Sequence, residues 1–293
     1  MITRRQFTKI TTASLGMGFL AECTHTFPRL AVPEPILGDA KIAGFNDIRF
    51  WGNERPDNLE RLVRTAVSQR QSSGSFARGQ TQNFLAVSGG GGDGVYGAGL
   101  LAGWSAARTR PVFDIVIGVS TGALIAPFAF LGSAYDRPLF EIYTKYGTKD
   151  ILKADVLAGL LGGSALANAA PFEKLITTYI TPALLQVIVR QHNSGRRLFV
   201  GTTNIDAQRP VIWDMGAIAA SGRPEALRLF RSILQASASV PGAFPPVRFK
   251  VQADGKTYDE MHVDGGVTEQ VFFLPSQIML QSGGLSHGFS SVR

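Results

Sequence analysis

The sequence is poor in the residues and runs that define several classes of protein. Its single cysteine, Cys23, excludes an intramolecular disulfide and a cysteine-based metal site. Charged residues make up 17% of the 293 residues and hydrophobic residues 45%, which excludes a largely disordered chain. No apolar run reaches the roughly 18 residues of a membrane-spanning helix, so a protein with several spans is excluded as well.

Positive charge is in excess but is not concentrated. The net charge is +7, yet the basic residues occur singly or in pairs such as Arg4-Arg5 and Arg196-Arg197. No zinc-finger, basic-zipper or aromatic RNA-binding motif accompanies them, so nucleic acid is not expected as a partner. The same charge suits an anionic membrane surface, which we expect the protein to contact.

Residues 1–22 have the layout of an export signal. Arg4 and Arg5, followed by Phe7, precede an apolar stretch rich in Thr, Ala and Gly. The paired arginines resemble the bacterial twin-arginine signal, which exports folded proteins. We therefore expect the protein in the periplasm or cell envelope, and the alternative is that this stretch is a buried helix of the mature fold.

Cys23 follows Leu20-Ala21-Glu22, a segment that partly resembles a lipoprotein cleavage box. Glu22 departs from that pattern, because a small residue is expected just before the cysteine. One hypothesis is therefore that Cys23 is lipidated, which would anchor the protein to the envelope. The other hypothesis is that Cys23 is an incidental cysteine at the end of the signal.

Strand and helix patterns divide the rest of the chain. Residues 23–80 are predicted to form an N-terminal tether and one helix, and residues 81–293 an α/β domain. Apolar runs suited to buried strands lie at residues 83–87, 115–119, 197–203 and 210–213, and helical patterns at 57–71, 94–107, 123–131 and 224–238. Strands that alternate with helices indicate a parallel sheet.

A serine stands at one of these strand-to-helix turns. Gly118, Ser120 and Gly122 form a G-x-S-x-G motif between the apolar run at 115–119 and the helix that follows. Small flanking residues permit the sharp turn of a nucleophile elbow, and the helix N-terminus favours a developing negative charge. Ser120 is therefore a candidate nucleophile.

The general base that Ser120 would need is not evident from the histidines. The chain has four of them, and only His287 lies near the position expected for a Ser–acid–His order. His262 lies two residues before Asp264, so the two would share a face of a strand. Neither histidine is persuasive, and the base stays open at this point.

A glycine-rich loop follows the strand predicted at residues 83–87. It lacks the Lys-Ser/Thr pair of a triphosphate-binding loop. Gly89, Gly91 and Gly94 fit the G-x-G-x-x-G pattern of dinucleotide-binding folds, but the acidic residue that binds the ribose in those folds stands at the end of the second strand, whereas Asp114 lies before that strand. No nucleotide cofactor is therefore expected. Consecutive glycines let backbone N–H groups converge on one oxygen, and we predict Gly90, Gly91 and Gly92 as oxyanion-binding donors.

Together, the loop at residues 88–94, the motif at 118–122 and the triplet Asp264-Gly265-Gly266 resemble the patatin-like phospholipase family. Segments at residues 202–206, 236–242 and 244–246 agree, so that the resemblance covers roughly residues 82–275. It implies a three-layer α/β/α fold with a mainly parallel central sheet. It also implies a Ser–Asp dyad, with Ser120 as nucleophile and Asp264 as base, and needs no metal or other cofactor.

The function implied by this resemblance is hydrolysis of fatty-acyl esters, of phospholipase A or lysophospholipase type, by a serine carboxylic-ester hydrolase. The substrate would be a phospholipid or another fatty-acyl ester. The alternative is a non-catalytic module of the cell envelope that binds lipid or a partner.

In this sequence Asp93 occupies a position that is often Arg or Lys in the family, so we expect its side chain to face outward or to cap the next helix. Only 27 residues follow Gly266, so we also expect a shortened C-terminal part.

Overall fold

The apolar runs of the sequence become the central strands of a sheet. The computed structural model describes residues 29–74, 82–145 and 169–271, which form an α/β arrangement around an eight-stranded sheet. The strands are β1 (Lys41–Ile42), β2 (Arg49–Trp51), β3 (Phe84–Val87), β4 (Ile115–Val119), β5 (Arg197–Asn204), β6 (Arg209–Asp214), β7 (Val247–Ala253) and β8 (Lys256–Asp264). The helices are α1 (Leu59–Ser72), α2 (Gly94–Ala106), α3 (Thr121–Leu131), α4 (Asp136–Lys145), α5 (Ala170–Tyr179), α6 (Pro182–Asn193), α7 (Met215–Ala220) and α8 (Ala226–Ser237).

The sheet is mixed, and the expectation of a mainly parallel sheet is wrong. In the described residues only β3–β4 and β4–β5 pair in parallel, and the other five pairings are antiparallel. The physical reason is that helices separate β3, β4 and β5, whereas a short turn joins β5 to β6 and another joins β7 to β8. A short turn can only connect antiparallel strands. The α/β class is confirmed, and the three-layer order stays a prediction.

Strands β4 and β8 share one edge of β5. The parallel ladder of β4 ends where Val119 pairs with Gly201, and the antiparallel ladder of β8 ends where Asp264 pairs with Thr202. Strand β6 occupies the opposite edge along residues 199–204. Because β4 and β8 run in opposite directions, their C-terminal ends, Val119 and Asp264, face each other next to Gly201 and Thr202. We call this meeting point the junction of β4 and β8.

The buried side chains lie on both faces of this sheet. The larger core contains Val116 and Val200 together with apolar side chains of α3, α5, α6 and α8. The smaller cluster contains Ile117, Val119 and Phe199, whose positions alternate with those of the first set. Every residue of β5 is buried, so the strand that supports the junction of β4 and β8 is held from both faces.

Residues 29–51, which the sequence predicts as part of a tether, pack onto the sheet. Strand β1 pairs with β7 and β2 pairs with β6. Arg29 forms an ion pair with Asp206, and the Leu30 carbonyl accepts a hydrogen bond from the Asp259 amide. The predicted domain boundaries stay predictions, while the export signal, Cys23 and the tail with His287 lie outside the described residues.

Among the described helices, none alone has the length and apolar composition of a membrane span. Helices α5 and α6 reach both only as a pair bent by 59°.

Candidate active site

Ser120 occupies a sharp turn between β4 and α3. Its backbone has φ 56° and ψ −125°, a left-handed conformation that a residue with a side chain rarely adopts. A Cβ on Gly118 would overlap the Gly122 carbonyl oxygen, and one on Gly122 would overlap the carbonyl oxygen of Val87. Both glycines of the motif are therefore required by close backbone approach.

The turn presents Ser120 at the start of a buried helix. The serine is 7% exposed, and α3 begins at the next residue with its first amides facing the turn. Ten of the eleven residues of α3 are buried, so the helix that bears the turn is fixed in the core. The positive end of its dipole favours negative charge beside Ser120.

Asp264 ends β8 opposite Ser120, at the junction described above, and is 5% exposed. Its Oδ1 accepts the Gly266 amide at 2.7 Å, while its Oδ2 is buried with no hydrogen-bond partner among the described residues. Burial raises the pKa of the Asp264 carboxyl, and the Ser120 side chain and the Gly266 amide oppose that rise more weakly. A carboxylate with an unpaired oxygen and a raised pKa is suited to accept a proton.

The glycine pair after Asp264 lets β8 end this close to β4. A Cβ on Gly265 would lie 2.6 Å from the Gly201 carbonyl oxygen and 2.9 Å from Cγ1 of Val119. A Cβ on Gly266 would lie 3.0 Å from Oδ1 of Asp264. These glycines therefore do more than form a turn, because a side chain at either position would displace the Asp264 carboxylate or the backbone next to it.

The glycine-rich loop lies directly against the Ser120 turn. A Cβ on Gly89 would be 2.7 Å from Cβ of Ser120, and one on Gly94 would overlap the Thr121 methyl group. Gly90 and Gly91 have φ angles of 154° and 56°, which glycine adopts without strain. Gly90, Gly91 and Gly92 are exposed, so their backbone is open to solvent beside the serine.

Asp93 is exposed, as expected, and precedes the first residue of α2 without a side-chain capping hydrogen bond. Its charge therefore faces solvent.

Thr121 was missed by the sequence analysis because the fourth position of G-x-S-x-G is unrestricted. Its Oγ1 donates to the Gly91 carbonyl at 2.9 Å, and its own carbonyl accepts the Tyr143 hydroxyl at 3.3 Å. The residue after the serine therefore fixes the glycine loop. Thr203 was missed as well, and its Oγ1 donates to the Asp264 carbonyl at 2.9 Å.

Neither histidine of the described residues hydrogen-bonds to Ser120 or Asp264. His262 is fully buried, with Nδ1 2.9 Å from Thr202 Oγ1 and Nε2 3.2 Å from Glu260 Oε2. Burial lowers the pKa of His262, although Glu260 opposes that shift. His192 lies in α6, where burial also lowers its pKa. Within the described part of the chain, no three His, Cys, Asp or Glu side chains are grouped as metal ligands.

Comparisons with known proteins place these residues in one matched region. A family model described as patatin-like phospholipase matches residues 85–275, which include the loop glycines, Ser120 and Asp264. No curated protein matches the sequence. A crystal structure of VipD from Legionella pneumophila is 14% identical and has a TM-score of 0.40, and the match covers 64% of this chain and 46% of VipD.

Proposed function

This chain belongs to the patatin-like phospholipase family, and on that premise we propose that it is a lipid acyl hydrolase with Ser120 as nucleophile and Asp264 as general base. The observation that carries the proposal is the junction of β4 and β8 on β5, which sets a strained, buried serine against a buried carboxylate with an unpaired oxygen. The substrate is a phospholipid or another fatty-acyl ester.

In the proposed first step, Ser120 Oγ attacks the ester carbonyl carbon while Asp264 takes the hydroxyl proton. The carbonyl π electrons move to the oxygen, and the amides of Gly90, Gly91 and Gly92 stabilise that oxyanion. The tetrahedral intermediate then collapses, the ester C–O bond breaks, and Asp264 returns the proton to the leaving alcohol. This step leaves an acyl-enzyme on Ser120.

In the second step, water replaces the alcohol. The water oxygen attacks the acyl carbon while Asp264 accepts a proton from the water. Asp264 then gives that proton to Ser120 Oγ as the bond between Oγ and the acyl carbon breaks and the fatty acid leaves. Every proton therefore passes through one carboxylate, and the mechanism needs neither a histidine nor a metal. Burial strengthens Asp264 as a base, because an aspartate with the ordinary pKa of 3.8 binds protons weakly.

We also propose that α2 contacts the membrane surface. This helix contains no charged residue, and Val95, Tyr96 and Leu100 are 51%, 74% and 56% exposed on the side opposite buried Ala98 and Leu101. The helix begins immediately after the oxyanion loop, so contact through this face would bring the loop to the lipid. An uncharged, exposed apolar face on a basic protein suits the interface of an anionic bilayer.

Export to the periplasm or cell envelope, with lipidation of Cys23 as a further step, remains part of the proposal on the sequence of residues 1–23 alone. Cell fractionation of wild type and of the Arg4→Lys, Arg5→Lys variant tests export. Retention of the variant in the cytoplasm supports a twin-arginine signal, and unchanged distribution refutes it.

A fluorophosphonate probe and a lipid panel test the hydrolase. We expect the probe to label wild type and not Ser120→Ala, and we expect mass spectrometry to detect free fatty acid only with wild type. If the folded wild-type protein is neither labelled nor active on any lipid, the catalytic proposal fails, and binding of the same vesicles would then favour a non-catalytic lipid-binding module.

A further inference from the structure

The last residue of α8, Ser237, is bonded to the nucleophile turn. It is completely buried, and its Oγ accepts the Ser120 amide at 3.0 Å and donates to the Gly201 carbonyl at 2.6 Å. A serine hydroxyl has one hydrogen, so the donation to Gly201 leaves its lone pairs free to accept the Ser120 N–H. One hydrogen bond of this side chain therefore reaches the residue that follows β4, and the other reaches β5.

Two residues later, the same segment is bonded to Asp264. The Ser239 carbonyl accepts the Asp264 amide at 2.9 Å. The Ser239 side chain takes no part in this bond, since its hydroxyl donates to the Gln235 carbonyl in α8. Residues 237–239 thus bond the backbone of both residues of the proposed dyad, and we call them the dyad clamp.

A clamp is needed because neither residue is held by regular structure alone. Ser120 has a left-handed backbone, a conformation that persists only where the surroundings enforce it. Asp264 is the last residue of β8, where the ladder to β5 stops. The junction brings the two strand ends together, but the clamp bonds them to one common segment.

We propose that Ser237 is a positioning residue for the reaction: its hydroxyl holds Ser120 in the strained conformation that directs Oγ at Asp264 and the substrate. This rests on the proposed hydrolase function. Without the hydroxyl, the Ser120 amide and the Gly201 carbonyl both lose a buried partner, and the turn relaxes toward a less strained conformation. Misplacement of reacting groups by about 1 Å costs roughly 100-fold in rate.

The test compares Ser237→Ala with Ile233→Val in the full chain. Ile233 is fully buried one turn earlier in α8, so its truncation weakens the same helix without touching the clamp. On a soluble short-chain p-nitrophenyl ester, we expect Ser237→Ala to lower kcat roughly 10- to 100-fold with KM nearly unchanged, and to slow fluorophosphonate labelling in parallel. We expect Ile233→Val to lower the melting temperature and keep kcat.

A second variant and a second measurement complete the test. Ser237→Cys retains a weak donor and acceptor of similar size, so we expect intermediate kcat, and it serves where Ser237→Ala fails to fold. Hydrogen exchange of the Ser120 amide should accelerate in Ser237→Ala and not in Ile233→Val.

Two outcomes overturn the positioning role. One is a folded Ser237→Ala with wild-type kcat and a protected Ser120 amide, and the other is an equal loss of kcat in Ile233→Val at a similar melting temperature. An inactive, unlabelled wild type would refute the hydrolase function instead. Exchange of the Ser120 amide would still decide whether the clamp exists, so the two failures are distinguishable.

Discussion

Gly265 lies against Gly201 so closely that a Cβ on Gly265 would be 2.6 Å from the Gly201 carbonyl oxygen. Gly201 pairs with the last residue of β4, and its neighbour Thr202 pairs with Asp264. The ends of β4 and β8 thus meet along the same edge of β5 with no residue between them. The distance between the proposed nucleophile and base depends on the absence of a side chain at residue 265.

We predict that Gly265→Ala moves Asp264 away from Ser120. The added methyl group meets backbone, which cannot rotate aside, so we expect a loss of about 1–3 kcal/mol in unfolding free energy. We also expect a roughly 100-fold fall in kcat on a soluble ester. Gly38→Ala is the matched control, because a Cβ there meets nothing within 4 Å, and its activity should equal that of wild type. Wild-type kcat in Gly265→Ala would contradict this account of the junction.

The motif glycines could be predicted from sequence because the backbone at each of these positions leaves no room for a side chain or favours glycine. Gly118, Gly122 and Gly90 occupy positions where backbone approaches backbone or φ is positive, and such demands leave a glycine in a recognisable pattern. Strand and helix bounds follow from apolar periodicity, and those predicted from residue 83 to 238 agree with the structure within about two residues at each end.

The strand order could not be predicted in the same way. The β7–β8 hairpin had a sequence signal in the pair Asp254-Gly255, which is typical of a two-residue hairpin turn. In the structure both residues have positive φ, and burial alternates along β7 before them. Its insertion beside β5, end to end with β4, depends on pairing between residues about 60 apart, which no local pattern specifies. Ser237 was missed for a related reason, since its partners lie in two other strands or turns.

We predict an acid limb in the pH profile of kcat/KM. Asp264 must be deprotonated to act as base, so activity rises with pH through its pKa, and burial places that pKa above the usual aspartate value of 3.8. Initial rates on a soluble ester across acidic and neutral pH measure the midpoint. A midpoint at or below 3.8 would show that the carboxylate is not desolvated.

We predict that Asp264→Asn strongly lowers activity and stabilises the fold at neutral pH. A general base contributes roughly 10²–10⁴-fold, so kcat should fall by that factor. A carboxyl whose pKa is raised by folding favours the native state when protonated, and that contribution is lost as pH rises through the folded pKa. The amide retains an oxygen for the Gly266 N–H and carries no charge, so the melting temperature should exceed that of wild type at pH 7.

Asp206→Asn serves as the contrast for that variant. Asp206 is paired with Arg29 and accepts the Met261 amide, so its charge has a partner in the folded state. We expect this variant to lower the melting temperature. A decrease in Asp264→Asn of the same size would indicate that the Asp264 charge is compensated in the native protein.

We predict that Arg49 stabilises the buried half of β8. Its guanidinium is bonded to Glu260, with one contact of 2.9 Å, and lies over the Trp213 ring at 5.2 Å. Burial alone would raise the pKa of Glu260, but His262 and Arg49 outweigh it and lower the pKa to about 2. Glu260 is therefore charged at neutral pH, and Arg49→Met leaves a buried charge without its cation. We expect a loss of about 3–5 kcal/mol in urea unfolding followed by tryptophan fluorescence.

Two further variants check that interpretation. Arg64→Met removes an exposed partner of Glu60 and should change stability by less than about 1 kcal/mol. Adding Glu260→Gln to Arg49→Met removes the unpaired charge and should recover part of the loss. No recovery in the double variant would indicate that packing of Arg49 on Trp213 dominates.

We predict that the exposed face of α2 binds lipid surface separately from the chemistry. Tyr96→Ser and Leu100→Gln remove exposed apolar area, so we expect weaker sedimentation with anionic vesicles and slower hydrolysis of vesicle lipid. Turnover of a soluble short-chain ester should stay at the wild-type rate, because these side chains point away from the core. Val112→Gln, an equally exposed apolar site outside α2, is the control and should sediment like wild type. If all three variants lose vesicle binding to the same extent, α2 has no special role and general surface hydrophobicity drives the association.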